Sequence, residues 1–217
     1  MKVAFAIPCY NTEKTIRSIV VECKKVSPWV VVVDDGSTDS TCREAELAGA
    51  VIYSHTTNVG YGGAIQTCLK AGRELGADVL ITLDGDGQHL PSEAMLLVDR
   101  LIEGNLGIVI GYRTSMPLYR WVGKSVIDFS FNLGSKFKVR DSQSGFRAYS
   151  RVALGLLRPT EMGMGIGLEI LEKARRLDLA IGEVPIHCIY FPGLAHSNLI
   201  LHGLSVLFPF SFGRSRK

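Results

Sequence analysis

Two carboxylates spaced by a glycine, Asp84-Gly85-Asp86, followed at once by Gly87-Gln88-His89, form the most chemically loaded stretch of this chain. On a tight turn such a pair lets a hard divalent cation and a pyrophosphate approach the same backbone, because Mg²⁺ needs only one or two carboxylates when substrate phosphates complete its shell. A second pair, Asp34-Asp35, lies within Val33-Asp34-Asp35-Gly36-Ser37-Thr38-Asp39. Adjacent carboxylates repel, and the arrangement gains only if a ligand or an array of donors takes them. A nucleobase N–H or a ribose hydroxyl would serve; Asp39 reads instead as a first-turn helix acid. A third polar cluster is Pro8-Cys9-Tyr10-Asn11. The glycine-rich run Asn58-Val59-Gly60-Tyr61-Gly62-Gly63-Ala64 resembles a phosphate loop opening a helix but has neither the dinucleotide fingerprint nor the Lys-Ser/Thr of a P-loop, and tight turns with close packing are an equal reading. His55, His187 and His202 have no ligand spacing, and His89 gains interest only from its neighbours Asp86 and Gln88.

Each cluster follows a short continuous apolar run, and these runs alternate with stretches of helical period, the pattern of βαβ units around a mostly parallel sheet. Strands are predicted at 3–7, 30–33, 51–54, 79–83 and 107–110, with helices at 12–26, 38–48, 62–75 and 92–103. In such an α/β fold ligands bind beyond the carboxyl ends of the strands, where all three polar clusters fall. After residue 115 the rhythm changes. A helix is expected at 121–137, a glycine-rich loop near 162–167, a helix at 167–177 and a strand at 181–190. We read one domain over 1–195, with a ligand-binding half (1–115) and a second half (116–195) folded onto it, then an apolar and basic tail (196–217).

A chain of 217 residues with 47% hydrophobic and 21% charged residues builds one sizeable core and is neither disordered nor fibrous. A net charge of +3 gives no case for nucleic acid. The five cysteines are odd in number and contain no Cys-x-x-Cys, so neither a disulfide framework nor a zinc site is expected, and the chain reads as cytoplasmic. No run of about 18 apolar residues offers a membrane span. The tail, with Phe208, Phe210 and Phe212 ahead of Arg214, Arg216 and Lys217, has the composition of a segment that seats peripherally on an anionic membrane face.

Four stretches taken together carry a resemblance: Ile7-Pro8-x-Tyr10-Asn11, Val33 to Asp39, Asp84-x-Asp86-Gly87-Gln88-His89, and Asp141-Ser142-Gln143-Ser144-Gly145-Phe146-Arg147. Over residues 3–190 the chain resembles the family 2 glycosyltransferases of GT-A fold, a Rossmann-like α/β architecture, and within them the branch of dolichyl-phosphate mannose synthase and other polyprenyl-phosphate glycosyltransferases. The resemblance implies a UDP- or GDP-sugar donor, a dolichyl or undecaprenyl phosphate acceptor, Mg²⁺ or Mn²⁺ as cofactor, and inverting transfer of a hexose. It implies that Pro8, Tyr10, Asn11, Glu13, Asp34, Asp35 and Asp84 contact the nucleotide sugar, and that Asp86, Gln88 and Asp84 hold the metal. Arg147, Arg113 and Ser144 would meet the acceptor phosphate, with Asp86, Arg147 and Asp141 taking part in the transfer. Asp141 or Glu169 would orient an arginine or act as base toward a hydroxyl acceptor. Glu13 stands one place later than the glutamate that the family writes after Tyr-Asn, and Tyr190 to Asn198 lacks the basic pair usual in the lipid-phosphate branch.

Overall fold

The computed structural model describes residues 1–114, 128, 132 and 138–190. The expected helix at 121–137 falls largely outside them, and the tail at 196–217 entirely so. Seven strands form one sheet: β1 (Val3–Cys9), β2 (Trp29–Asp34), β3 (Val51–Ser54), β4 (Val79–Thr82), β5 (Ile108–Arg113), β6 (Arg147–Ser150) and β7 (Ile181–Ile186). Their order is β3-β2-β1-β4-β6-β5-β7. All pairings are parallel except those of β6, which runs antiparallel between β4 and β5.

Among the described residues six α-helices cover the sheet: α1 (Ile16–Val26), α2 (Thr41–Leu47), α3 (Tyr61–Glu74), α4 (Ala94–Glu103), α5 (Arg151–Leu156) and α6 (Ile166–Arg176). Alternation along the strands divides the core. Phe5, Ile7, Val30, Val32 and Ile81 face α1, α2 and α4, whereas Ala4, Ala6, Val31, Leu80 and Ile110 face α3, α5 and α6. Burial on both faces is why the strands read as unbroken apolar runs. The alanines on the second face leave room for α3, whose Gly72 would bring a Cβ within 2.8 Å of Leu80.

Strand order reverses between β1 and β4: β2 and β3 lie to one side of β1, and β4 to the other. That switch leaves a crevice above the ends of β1 and β4. Pro8 is tolerated in this central strand because the β1–β4 ladder ends at Ala6 and Thr82, while Pro8 still lies opposite Val33 of β2. Cys9 accepts from Asp35 of the β2 side, so alternation directs the missing Pro8 N–H toward β4, beyond the end of its ladder.

Two departures from the sequence reading have physical causes. Residues 12–15 form a turn ahead of α1, because the Thr15 hydroxyl bonds the Gly85 carbonyl at 2.6 Å and ties the segment to the turn after β4. Strand β6 with α5 was not expected; four residues beginning on an arginine carry too little period to read as a strand, yet Ala148 and Tyr149 are fully enclosed. Ile81, on β4 and fully buried, is packed on both sides by strands. Ile81→Ala is expected to lower stability by about 2–5 kcal/mol, read as a fall in the urea midpoint at unchanged slope.

Candidate active site

The turn after β4 carries Asp84 and Asp86 to the crevice. Gly85 is required there, since a Cβ would lie 2.6 Å from the Cys9 sulfur at the end of β1. Gly145 is required opposite, where a Cβ would stand 2.5 Å from both Asp84 carboxylate oxygens. The Tyr61 hydroxyl, at the first turn of α3, donates to Asp84 Oδ1 at 3.0 Å, and the backbone N–H of Gln88 donates to Asp86 Oδ1 at 2.9 Å. Although 31% of the Asp84 side chain stays open, enclosure by protein raises its pKa, with the Tyr61 bond and the charges of Arg113 and Arg147 pulling the other way. Burial and then the Asp84 charge raise Asp86. Burial and Asp84 keep Tyr61 protonated, hence a donor.

Asp34 and Asp35 are met by a donor array. Asp35 accepts from the N–H groups of Val59 and Gly60 at 3.0 and 2.9 Å and pairs with His55 Nδ1 at 2.7 Å; His55 Nε2 meets the Thr67 hydroxyl at 2.9 Å. Asp34 accepts from the Ser37 N–H at 3.3 Å and the Cys42 thiol at 3.1 Å. Both are 3% exposed, and their carboxylates brace the loops after β2 and β3. Asn11, at φ +52°, accepts from the Thr38 N–H, and its own N–H donates to Ser37 Oγ. Glu13 accepts from Ser40 N–H ahead of α2, and Asp39 bonds the N–H and hydroxyl of Thr41, the helix-start role expected of it.

Across the crevice, Arg147 is 3% exposed and donates through Nε, Nη1 and Nη2 to the carbonyls of Ser144, Gly167 and Ser142. Three of its five N–H donors thus tie the 142–147 turn to the start of α6, and two remain. Arg113, at the end of β5, is itself gripped: Nε and Nη2 meet the Asp141 carboxylate at 2.7 and 2.9 Å, with Asp141 1% exposed. Glu169 is held by the N–H groups of Thr160 and Glu161 and by Lys173. His89 is 5% exposed with both ring nitrogens lacking a hydrogen bond; it tilts against Phe146, ring centroids 5.3 Å apart, with Nδ1 3.9 Å from Asp84 Oδ2.

The resulting cleft of about 610 Å³ brings together Pro8, Tyr10, Asn11, Asp84, Asp86, Ser144 and Arg147. Glu13, Asp34, Asp35, Gln88, Arg113 and Asp141 do not line it. Sequence reasoning missed Tyr61, Thr82, Tyr149 and the Met164 to Gly167 wall. The glycines around Tyr61 were its only signal: Gly62 would place a Cβ 2.2 Å from the Glu161 carbonyl, so this turn exists to be crossed closely. The fit to a divalent cation rests on Asp84 and Asp86, whose raised pKa values record enclosed negative charge with few protein donors. Among the described residues no group of three His, Cys, Asp or Glu side chains forms a metal cage, and Gln88 Oε1 lies 3.8 Å from the Cys188 sulfur. Two carboxylates match a hard cation completed by phosphate oxygens.

Residues 4–155 match the family model described as glycosyl transferase family 2. The chain is 33% identical to the UDP-N-acetylglucosamine–dolichyl-phosphate N-acetylglucosaminyltransferase of Methanococcus voltae, over 93% of this chain and 92% of the relative. It is 29% identical to the undecaprenyl-phosphate mannosyltransferase of Micrococcus luteus, over 86% and 83%. Among solved structures it is similar in fold to Mycobacterium tuberculosis glucosyl-3-phosphoglycerate synthase in complex with Mg²⁺ and UDP, with a TM-score of 0.74 at 21% identity, covering 95% of this chain and 76% of that one.

Removing the Tyr61 hydroxyl leaves Asp84 without its nearest donor. Tyr61→Phe is expected to weaken metal-dependent binding of UDP or GDP by about tenfold, measured by calorimetry with Mn²⁺. Burial, opposed by the Asp86 charge, depresses the His89 pKa from 6.5 to about 4. Between those values the unfolded chain binds the extra proton, so stability rises with pH across the window by up to about 3 kcal/mol. In EDTA, unfolding midpoints measured from pH 4 to 7 should show that slope, and His89→Gln should flatten it; equal slopes would refute the assignment.

Proposed function

The chain belongs to glycosyl transferase family 2, and from that premise we propose that it transfers a hexose from a UDP- or GDP-sugar to a polyprenyl phosphate, with inversion at the sugar C1. The observation that carries this reading is the cleft at the β1–β4 switch point, which sets Asp84 and Asp86 opposite the Ser144–Arg147 turn. Tyr10, 48% exposed, and Pro8 offer an apolar wall to a nucleoside. Asp84 and Asp86 would hold Mg²⁺ or Mn²⁺, which when bound across the diphosphate compensates the charge of the leaving nucleotide.

A polyprenyl phosphate oxygen is already anionic near neutral pH, so the transfer needs positioning and charge compensation rather than a strong base. Arg147 lines the cleft beside Ser144, and the turn that carries it is fixed by the three carbonyl bonds. Asp141 orients Arg113, a pair whose guanidinium is enclosed and permanently charged. Transfer to a saccharide or protein hydroxyl is the rival, and it requires a general base. Asp141 is engaged by Arg113, and Glu169 by Thr160, Glu161 and Lys173, which supports the phosphate acceptor over the hydroxyl. The N-acetylglucosaminyl and mannosyl transferases among its relatives support the same acceptor class. A peripheral seat at the cytoplasmic membrane face belongs to this proposal; among the described residues no helix is long and apolar enough to cross a membrane.

Radiolabelled UDP-N-acetylglucosamine, UDP-glucose and GDP-mannose, each with Mg²⁺ or Mn²⁺ and polyprenyl phosphate, test it through label recovered in chloroform. One donor should label the lipid, EDTA should abolish transfer, and Asp86→Ala should reduce it by about 100-fold or more. Metal-dependent donor binding with no label in lipid from any donor would remove the lipid acceptor and leave the hydroxyl reading.

A further inference from the structure

A second cavity, of about 690 Å³, opens on the far side of α3 from the cleft, between the outer face of that helix, the end of β3 and residues 158–162. Lys70, Arg73 and Arg158 all border it, and no carboxylate does. The two guanidiniums share an acceptor: Arg73 Nη1 donates to the Leu154 carbonyl at 3.3 Å and Arg158 Nη1 to the same oxygen at 3.1 Å. Arg158 is further fixed by the Leu157 carbonyl at 2.7 Å. Neither arginine makes an ion pair with a described carboxylate. Glu74, one residue along from Arg73, receives the Tyr53 hydroxyl at 2.9 Å and faces Lys70 at 3.7 Å. Burial and then the Arg158 charge lower the pKa of Arg73, as expected of cations held side by side.

Holding two guanidiniums on one carbonyl, with Glu74 acting on Arg73 only through space, is unfavourable in the free protein, and an oxyanion between them reverses the sign. The rest of the lining suits a ligand with an apolar portion, since Val59, Leu69, Pro159 and Met162 border the cavity together with Thr67 and Thr160. We propose that this cavity is a second binding site, separate from the donor cleft, for a phosphate-bearing molecule gripped by Arg73, Arg158 and Lys70. Its wall is shared structure. Met162 accepts from the Gly62 N–H at 2.8 Å, one residue after Tyr61, so a ligand there presses on the turn that holds Asp84.

The test is calorimetric titration with inorganic phosphate and phenyl phosphate in EDTA, which withholds the metal that a diphosphate would use in the cleft. A parallel arm measures co-sedimentation with phosphatidylcholine vesicles containing phosphatidic acid, so a soluble phosphate is distinguished from a lipid headgroup. Saturable binding in either arm, weakened about tenfold or more in Arg73→Gln/Arg158→Gln, supports the site. Lys70→Gln, which disturbs only an exposed ammonium, should weaken it severalfold and guards against a misfolded double variant. Arg151→Gln, on an exposed arginine paired with Asp78 elsewhere, should leave it unchanged. No binding in either arm, or equal binding by wild type and both cavity variants, would overturn the proposal.

Discussion

A carboxylate buried at the end of a strand must be given donors, and the functional edge of this molecule is organised by that requirement. Asp35 takes the N–H groups of Val59 and Gly60 and the His55 ring, which draws the loop after β3 over the end of β2. Asp141 takes the guanidinium and N–H of Arg113, closing the end of β5. Asp128 takes the N–H and hydroxyl of Ser142. Each bond joins segments distant in sequence, and each is strong because one partner is ionised and shielded from water.

Glycine supplies the complementary constraint on the other side of the crevice. At α3 the helix begins on Gly60 at φ +95°, a conformation a side chain would strain, and Gly62 and Gly63 admit the backbone and Met162 side chain of the 161–163 segment. That approach puts Tyr61 between the helix start and Asp84. Met162 lines the cationic cavity, and Met164, two residues on, lines the cleft. One stretch of chain therefore touches both hollows, and a shift in it would be felt in each.

The parallel core was legible because strands buried on both faces leave unbroken apolar runs such as Val30 to Val33, and the helices between them end on glycines. The three polar clusters were placed correctly at strand ends for the same reason. What was not legible was direction. Spacing puts Asp34 and Asp35 at the right edge, but only the fold shows that their carboxylates turn into the protein toward His55, Val59 and Ser37. Arg147 is similar: its motif located it at the cleft, while three carbonyls, one of them twenty residues along the chain, decided what most of its donors do. Strand β6 escaped because a short antiparallel insertion takes its stability from its neighbours β4 and β5, not from its own four residues.

The acids of this edge differ in how completely the protein answers them, and that difference locates the chemistry. Asp35 meets three donors, and Asp141 meets a permanent cation at bonding distance on two oxygens. Asp84 meets a single neutral hydroxyl, with Arg147 and Arg113 acting only through space, and Asp86 meets a single described backbone N–H while facing the Asp84 charge. Two enclosed carboxylates, both raised by burial and Asp86 further by the Asp84 charge, are unfavourable as a structural device, since a neutral side chain at either position would relieve the cost. A divalent cation held by the pair would compensate both charges, which makes their placement favourable with such a cation bound. Among the described residues, the turn after β4 carries enclosed negative charge that few protein donors answer.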